Sequence, residues 1–283
     1  MKLGVCAIVK NENLYLRDWV EYHLRLGFDK IFIYDNNDVE KPELVIYDYL
    51  INGKVSITKW ENQTNPNGDS TMNQHIYNQI SSYNDCIKNN QDFDWIAFID
   101  VDEYIRISGS LSIKDIISNN IYQEHDVVLL SWRMMGDHNA LYYEDKSVQE
   151  RFVEQLNGVY AGVQGYEIIK PFVNIRSGVT FSEQLYNNHS PNTKNACTAT
   201  GYHLPWWDGE CQRVNPPCYE VMWIDHYYTK SLTEYLIKSI TSTHRYYNDN
   251  WIDFDVCINQ YKNLNGWSDE HEKVYQDFLR RFC

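Results

Sequence analysis

The chain has 283 residues, a formal net charge of −14 at pH 7 and a sequence pI of about 5.0. A chain this acidic lacks the clustered lysine and arginine that bind a nucleic-acid backbone or an anionic membrane surface. Its length fits one large domain, or a core domain with an extension, and a hydrophobic content of 43% is enough for a sizeable core.

The N-terminus and the cysteines predict a cytoplasmic protein. The first apolar run, residues 3–9, is too short for a signal peptide or a membrane span. The seven cysteines are scattered, with no Cys-x-x-Cys pair, which is typical of reduced thiols. An alternative zinc site, whose spacing fits no standard zinc finger, would use Cys197, Cys211, Cys218 and His203.

Strands and helices alternate over the first hundred residues. Apolar runs predict buried strands at 3–9, 30–35, 54–60 and 95–99. Helical periodicity predicts helices at 14–26, 42–51 and 71–89. The first of these helices ends at Gly27, a residue type favoured just after a helix. This β-α-β-α-β-α-β order predicts an α/β fold with a doubly wound parallel sheet and right-handed crossovers.

After residue 104 the pattern is less regular. We expect a short helix at 112–119, a strand at 126–132, and short strands at 151–153 and 173–175. Helical periods return at 231–243 and 253–281. The loop-rich segment 187–217 predicts a lid or an acceptor-binding loop, because long irregular segments inside a compact domain usually carry function.

Three acids, Asp100, Asp102 and Glu103, directly follow the fourth predicted strand. They would repel one another unless a cation neutralised them. Carboxylate oxygens suit Mg²⁺ and Mn²⁺, and Mg²⁺ commonly bridges to substrate phosphates. In an open α/β sheet, ligands bind at this edge, outside the carboxyl ends of the strands. The alternative interpretation is a solvated acidic turn.

Polar residues also follow the first two strands. At 7–13, backbone groups and short side chains are placed to hold a base and ribose, with Lys10 to offset phosphate charge. After the second strand, Asp35 is placed to accept hydrogen bonds from ribose or base. The alternatives are a helix-capping turn, with Asn11 or Asn13 as N-cap, and a plain Asn/Asp turn. The sequence contains no Gly-rich phosphate loop, so we expect a metal to hold the phosphate.

A further polar cluster follows an apolar, strand-like run near residue 224. A neutral imidazole at His226 would complete the coordination shell begun by Asp102. Lys230 or Ser231 would then reach a pyrophosphate. The alternative is a structural histidine among aromatic neighbours.

Five segments together carry a family resemblance: A-I-V-K-N-E, W-V-E-Y-H-L-R-L-G-F-D-K-I-F-I-Y-D-N-N-D, Y-N-D-C-I, D-W-I-A-F-I-D-V-D-E-Y and D-H-Y-Y-T-K-S. They resemble the glycosyltransferase family 2 and family 92-like group of GT-A-fold enzymes. The resemblance runs through residues 2–106 and recurs around 132–136, 151–152, 170–171 and 224–231. At 132–136 the chain has Trp-Arg-Met-Met-Gly, where relatives often have W-x-x-F-G.

The resemblance implies a GT-A fold, with a doubly wound, mostly parallel central sheet flanked by helices and a C-terminal helical extension. It assigns residues 1–230 to a catalytic domain, with donor-binding and acceptor-binding halves at 1–106 and 107–230, and 231–283 to the extension. It further implies a nucleotide-sugar donor, usually UDP-linked, and inversion at the anomeric carbon. Donor contacts would come from Ala7, Val9, Lys10, Glu12, Asp35, Asn84, Asp85, Asp100, Val101 and Lys230. The Mn²⁺ or Mg²⁺ ligands would be Asp100, Asp102 and His226.

An inverting transfer needs a carboxylate base that takes the proton of the acceptor hydroxyl. Such a base lies well after the metal motif in GT-A enzymes, and the candidates are Glu183, Asp137 and Asp208. We prefer Glu183 because it follows a predicted strand at 179–181. Arg133, Trp206 and Trp207 are candidates for the acceptor pocket, since tryptophan faces stack on sugar rings. The alternative is that the tryptophans only cover the core.

Two other classes of protein remain open. A nucleotidyltransferase or sugar-phosphate transferase would also use paired carboxylates, but it usually needs more basic residues. A non-catalytic carbohydrate-binding protein would explain the aromatic content, 15% of the chain, but not the three polar clusters. The expected partners are a nucleotide-sugar and a glycan or lipid-linked glycan, with peripheral membrane contact through the acceptor and no nucleic acid. Capsule or lipopolysaccharide synthesis is implied by the resemblance alone.

Overall fold

The structure is a computed structural model that describes residues 1–63, 71–156, 168–182, 187–207, 213–241, 246–247, 250–251 and 254–282. Two of the candidate bases, Glu183 and Asp208, lie outside the described residues, as does Cys211 of the alternative zinc site.

Four parallel strands form one half of the central sheet, in the order β3-β2-β1-β4. They are β1 (Leu3–Val9), β2 (Lys30–Asp35), β3 (Val55–Lys59) and β4 (Trp95–Phe98). The helices between them are α1 (Asn13–Leu26), α2 (Tyr47–Ile51) and α3 (Thr71–Asn89). A 3₁₀ turn at Pro42–Leu44 precedes α2, where one continuous helix was expected. The predicted parallel order of these strands is confirmed.

Helices cover both faces of this parallel half. Val5 and Ala7 of β1 belong to the core cluster that contains Trp19 of α1. Their neighbours on the opposite face, including Cys6, pack in the cluster that contains Tyr83 of α3. Side chains alternate across a strand, so a strand that is apolar at every position must be covered on both sides. The doubly wound arrangement predicted from the continuous apolar runs is therefore confirmed.

The other half of the sheet has mixed strand directions. Its members are β5 (Glu103–Ile107), β6 (Val127–Met134), β7 (Ile169–Asn174), β8 (Ala196–Thr198) and β9 (Met222–His226). The sheet continues β4-β7-β6-β9-β5, and β8 also pairs with β6. Strand β7 runs antiparallel to both β4 and β6, while β9 is parallel to β6 and antiparallel to β5. The β5–β9 register pairs Glu103 with His226, and this places the late histidine beside the acidic motif.

Several predicted elements differ from the structure. The predicted strand at 151–153 is wrong: helix α6 (Val148–Arg151) ends at the first of these residues, and the other two belong to no strand. Ser147 and Glu150 form a capping box at the start of α6. Strand β7 begins at Ile169, four residues before the predicted start. The helix expected at 112–119 is two short helices, α4 (Ile113–Ile117) and α5 (Asn120–Gln123), because Ser112 and Asn119 each cap a separate start. Neither candidate cap of α1 is the N-cap, a position that Glu12 occupies.

The C-terminal segment is helical, as predicted, with one addition. It contains α7 (Leu232–Thr241), α8 (Phe254–Asn265) and α9 (Asp269–Phe282). A two-stranded hairpin, β10 (Tyr246–Tyr247) with β11 (Asn250–Trp251), lies between α7 and α8. The three helices share a core cluster that includes Leu236, Tyr261 and Phe278.

Within the described ranges, the helices include none that combines the length and the apolar character needed to cross a bilayer.

Candidate active site

A cavity of about 770 Å³ opens at the carboxyl ends of β1, β2 and β4. This is the edge of the sheet where the sequence predicted a ligand-binding site. Residues that follow these strands form one wall. Residues at and after the end of β9, together with side chains of α7 and α8, form the opposite wall. Charged groups from both walls face the cavity, including Glu12, Asp100, Asp102, Lys230 and Lys238.

Asp102 is bound to a lysine from the opposite wall. The Nζ atom of Lys238 lies 2.6 Å from Asp102 Oδ2, and His226 Nε2 lies 3.5 Å from Asp102 Oδ1. Burial opposes ionisation of Asp102, but Lys238 and His226 outweigh it, so that the pKa of this carboxyl is well below its usual range. Asp102 is therefore a charged, almost fully buried carboxylate.

Asp100 is held in the same way by a second lysine. Lys170 Nζ donates to Asp100 Oδ2 at 2.8 Å, and Gln79 Nε2 donates to Asp100 Oδ1 at 2.7 Å. Burial again opposes ionisation, and Lys170 again outweighs it, which lowers the pKa of Asp100. The pKa of Glu103 is raised well above its usual range, mainly by burial. The acidic motif thus contains two ionised carboxylates and one carboxyl that favours its neutral form.

Two histidines face the cavity beside this motif. His226 packs on Trp132 with ring centroids 4.2 Å apart, and its Nδ1 is buried with no hydrogen-bond partner within the described ranges. His189 Nδ1 is 2.9 Å from the Ile169 carbonyl oxygen, so that nitrogen donates and Nε2 keeps its lone pair. Burial and nearby Lys170 lower the pKa of His189 to about 3. His189 is therefore neutral near pH 7.

Lys230 is a buried cation at the end of the β9 segment. It is 3% exposed, and its ammonium lies 4.3 Å from the ring centroid of Tyr15. Its backbone has a φ of +52°, a left-handed conformation that is uncommon outside glycine and is often found at functional sites. No carboxylate in the described part of the chain lies within 4 Å of its ammonium. Burial, together with Lys238, lowers the pKa of Lys230.

The predicted metal ligands have suitable chemistry, but lysines occupy their carboxylates. Two carboxylates suit Mn²⁺ or Mg²⁺, and the Nε2 nitrogen of His226 lies 3.5 Å from one oxygen of Asp102. The described residues nevertheless contain no group of three His, Cys, Asp or Glu side chains arranged to hold a metal ion. The residues fit a divalent cation by chemistry, and the ammonium of Lys238 takes the place of a cation at Asp102.

The alternative zinc site gains no support from the described residues. His203 pairs with Cys197 through backbone atoms, in an isolated antiparallel bridge. Cys197 and Cys218 are free thiols, as are the other three described cysteines.

The predicted donor-binding residues divide into two groups. Those that line the cavity are Val9, Lys10, Glu12, Asp100, Val101 and Lys230. Those that do not are Ala7, Asp35, Asn84 and Asp85.

Asp35 is occupied by its own neighbours instead of facing the cavity. It accepts from Asn37 Nδ2 at 2.7 Å and from Lys59 Nζ at 3.1 Å. The next residue, Asn36, lines the cavity. Both N–H groups of its amide are used, by Trp60 O at 2.7 Å and Asn62 Oδ1 at 3.3 Å. Within the described ranges, no hydrogen-bond donor contacts its amide oxygen.

Asn84 and Asp85 make contacts inside the protein. Asn84 exchanges two hydrogen bonds with the backbone of Phe181, at 3.0 and 2.8 Å. Asp85 accepts from the Tyr34 hydroxyl at 2.8 Å.

Asp137, the described candidate base, also lies away from the cavity. It is 3% exposed and accepts from the Tyr261 hydroxyl at 2.5 Å, and His271 Nε2 lies 3.5 Å from the same carboxylate oxygen. These contacts connect the end of the sheet to α8 and α9.

The predicted acceptor residues contact protein groups and do not line this cavity. Arg133 makes two hydrogen bonds to Asp225, at 2.6 and 2.8 Å. Trp207 is buried in the core cluster of the α3 face, while Trp206 is 53% exposed. For Trp207, the structure agrees with the alternative that it covers the core.

Sequence reasoning missed four polar residues of the site: Gln79, Lys170, His189 and Lys238. Gln79 and Lys238 lie inside helices, and a lysine or glutamine in a helix carries no local signal of function. Lys170 lies within a strand and His189 within the irregular segment. Only their placement around the acidic motif identifies them.

The comparisons with known proteins agree with the sequence resemblance. The family model described as "Glycosyltransferase family 92" matches residues 2–200. A family 92 protein of Oryza sativa subsp. japonica is 26% identical over 116 residues, which cover 41% of this chain and 18% of that protein. One of Ricinus communis is 27% identical over 134 residues, with 46% and 21% covered. The chain thus spans about a fifth of the length of these relatives.

Two solved structures align at low similarity. S. aureus TarS 1–349 gives a TM-score of 0.40 at 12% identity, covering 93% of this chain and 71% of that chain. The glucosyl-3-phosphoglycerate synthase of Mycobacterium tuberculosis, solved with Mn²⁺, UDP and glucosyl-3-phosphoglycerate, gives a TM-score of 0.29 at 10% identity, covering 65% and 57%.

The family model covers well over half of the chain, and the α/β sheet flanked by helices is the GT-A fold class expected from the resemblance. The chain belongs to glycosyltransferase family 92.

Proposed function

We propose that the chain transfers a sugar from a nucleotide-sugar, most simply a UDP-sugar, to a hydroxyl group of a glycan. The observation that carries this proposal is the cavity at the carboxyl edge of the sheet, where two ionised carboxylates and the ammonium groups of Lys230 and Lys238 face one space. Membership of family 92 supports glycosyl transfer as the chemistry. A carbohydrate-binding protein would not need such a concentration of buried charge.

The donor's diphosphate would bind at the end of the cavity that contains Lys230. This buried ammonium has no carboxylate within 4 Å in the described part of the chain, and burying an unpaired charge is costly. A diphosphate would supply the missing negative charge. A divalent cation held by Asp100, Asp102 and His226 would neutralise charge on the departing diphosphate.

Transfer would form a bond from the acceptor oxygen to the anomeric carbon and break the bond from that carbon to the diphosphate oxygen, with inversion. The acceptor proton would pass to a carboxylate base. Glu183 remains our first candidate and Asp208 another. Asp137 is the weakest of the three, because its carboxylate is already bound by Tyr261.

The acceptor and the setting of the reaction remain those expected from the resemblance. We propose a glycan or lipid-linked glycan of a surface polysaccharide, met at the inner face of the membrane. We also keep residues 1–106 as the donor half, 107–230 as the acceptor half and 231–283 as the extension.

The proposal is tested by thermal-shift titration against UDP, GDP and CDP, each with Mn²⁺ or with EDTA. A ligand at about 100 times its Kd stabilises the fold by about 2.7 kcal/mol, which moves the unfolding midpoint measurably. We expect one nucleotide to give this shift in wild type and not in Asp102→Asn. The same nucleotide's sugar conjugates should then be hydrolysed slowly without acceptor. If none of the three nucleotides stabilises the protein, the proposed function is wrong.

A second expected result concerns the nucleobase. Replacing Asn36 with alanine should weaken nucleotide binding about tenfold, because a polar side chain that lines the cavity is lost. Isothermal titration measures the change. Asp35→Asn is the matched comparison, since Asp35 lies one residue away and does not line the cavity. A larger loss of affinity in Asp35→Asn than in Asn36→Ala would restore Asp35 as the nucleotide contact.

A further inference from the structure

Lys238 occupies the position at Asp102 that a cation would take. Its Nζ is 2.6 Å from Asp102 Oδ2, while His226 Nε2 is 3.5 Å from the other oxygen. Both oxygens of the carboxylate are thus engaged by protein groups. A divalent cation bound to this carboxylate would repel the adjacent ammonium, because two positive charges would share one partner.

Of the two lysines on the acidic motif, Lys238 is the one able to leave. Lys170 is fully buried, 2.8 Å from Asp100 and 3.7 Å from Glu103, so its ammonium has nowhere else to bind. The side chain of Lys238 is 30% exposed, lines the open cavity and lies 5.2 Å from the ring centroid of Tyr228. A lysine ammonium on a flexible four-carbon stem can change partners while its helix stays in place.

Each ionised carboxylate of the motif already has an ammonium partner. Lys170 pairs with Asp100, and Lys238 pairs with Asp102. Burial raises the pKa of Glu12, which disfavours its charged form. A nucleoside diphosphate would add two to three negative charges to this space. A divalent cation entering with it would offset part of this charge, provided that Lys238 moved from Asp102 to the phosphates.

We propose that Lys238 and a divalent cation are alternative occupants of Asp102, and that the displaced lysine binds the diphosphate of the donor. The second half of this exchange rests on the proposed function, whereas the competition at Asp102 does not. Cation and nucleotide would then strengthen each other's binding, since each favours the same position of Lys238. Such coupling is reciprocal and typically amounts to about 5–150-fold in affinity.

The exchange is tested on the full chain by measuring Mn²⁺ affinity, without nucleotide, from the electron paramagnetic resonance signal of free Mn²⁺. Lys238→Met removes the competing ammonium and keeps most of the stem. We expect Mn²⁺ to bind the variant at least about fivefold more tightly than wild type. Lys238→Arg, which keeps the charge, should stay close to wild type. Lys262→Met is the matched control, because Lys262 also lies over an aromatic ring, that of Trp267, and is outside the cavity.

The second measurement is UDP affinity by isothermal titration, in saturating Mn²⁺. We expect Lys238→Met to bind UDP more weakly than wild type and Lys262→Met to be unchanged. Circular dichroism of each variant checks that it is folded. Unchanged or weaker Mn²⁺ binding in Lys238→Met would overturn the exchange, as would the absence of Mn²⁺ binding in every variant. A failure of UDP, GDP and CDP to bind would contradict the proposed function. If Lys238→Met still binds Mn²⁺ more tightly than wild type in that case, the competition at Asp102 is supported independently.

Discussion

Replacing Lys230 with methionine is expected to reduce kcat by about 10²–10³-fold while leaving the free energy of unfolding unchanged or higher. A positive group that stabilises charge developing on a leaving group contributes roughly this factor in a water-excluded site. In the free protein the same ammonium is 3% exposed and has no carboxylate within 4 Å in the described part of the chain. Burial and Lys238 lower the pKa of Lys230, so the charged form is disfavoured in the free protein.

Activity and stability are therefore expected to change in opposite directions, which separates a functional lysine from a structural one. Steady-state kinetics with the donor identified by thermal shift gives kcat, and urea unfolding followed by circular dichroism gives stability. Lys262→Met serves here too as the matched control, since its ammonium lies 4.4 Å from the Trp267 ring centroid and outside the cavity. Lys230→Met with nearly normal kcat but a loss of stability would show that Lys230 supports the fold.

Replacing Arg151 with methionine is expected to lower the free energy of unfolding by about 3–5 kcal/mol, because Glu234 is left as a buried, unpaired charge. Arg151 donates to both oxygens of Glu234, at 2.7 and 2.9 Å, and both side chains are 4% exposed. Tyr15 also donates to Glu234, at 2.8 Å, and Ser231 donates to it at the start of α7. The pair thus connects α1, α6 and α7.

The matched control is the exposed ion pair between Arg17 and Asp48, whose side chains are 49% and 54% exposed. Arg17→Met should cost less than about 1 kcal/mol, since exposed pairs contribute little. Urea unfolding at pH 7 measures both variants. Equal losses in Arg151→Met and Arg17→Met would mean that the buried pair contributes no more than a surface one.

The same pair predicts a dependence of stability on pH. Burial alone would raise the pKa of Glu234, but hydrogen bonds from Arg151 and Ser231 outweigh it, and the net pKa is lowered from 4.5. A carboxyl whose pKa is lower in the folded state stabilises the protein above its unfolded pKa and loses that contribution as the pH falls. Wild type should therefore lose this contribution progressively below about pH 4.5, and Arg151→Met should have less of it to lose.

Most of the first hundred residues could be predicted because their signals are local. The continuous apolar runs of β1, β2 and β4 can be stable only in a sheet covered on both faces. Helix α1 ends at Gly27 as expected, and this glycine has a left-handed backbone conformation. Short polar motifs in the second half were less informative. Residues 151–153 have the composition of a strand, yet the capping box at Ser147 and Glu150 starts a helix that includes the first of them.

Taken alone, the sequence determined the family, the α/β fold class and the edge of the sheet where the charged residues gather. These features could be predicted because strand periodicity and the acidic motif are patterns of consecutive residues. Only the tertiary structure decided which groups face those acids. Lys170 and Lys238 lie about 70 and 136 positions from their partners, on a strand and a helix with no local signal of function. Lys170 reaches Asp100 because β7 pairs with β4, and Lys238 reaches Asp102 from α7. Both are long-range contacts that no short motif encodes.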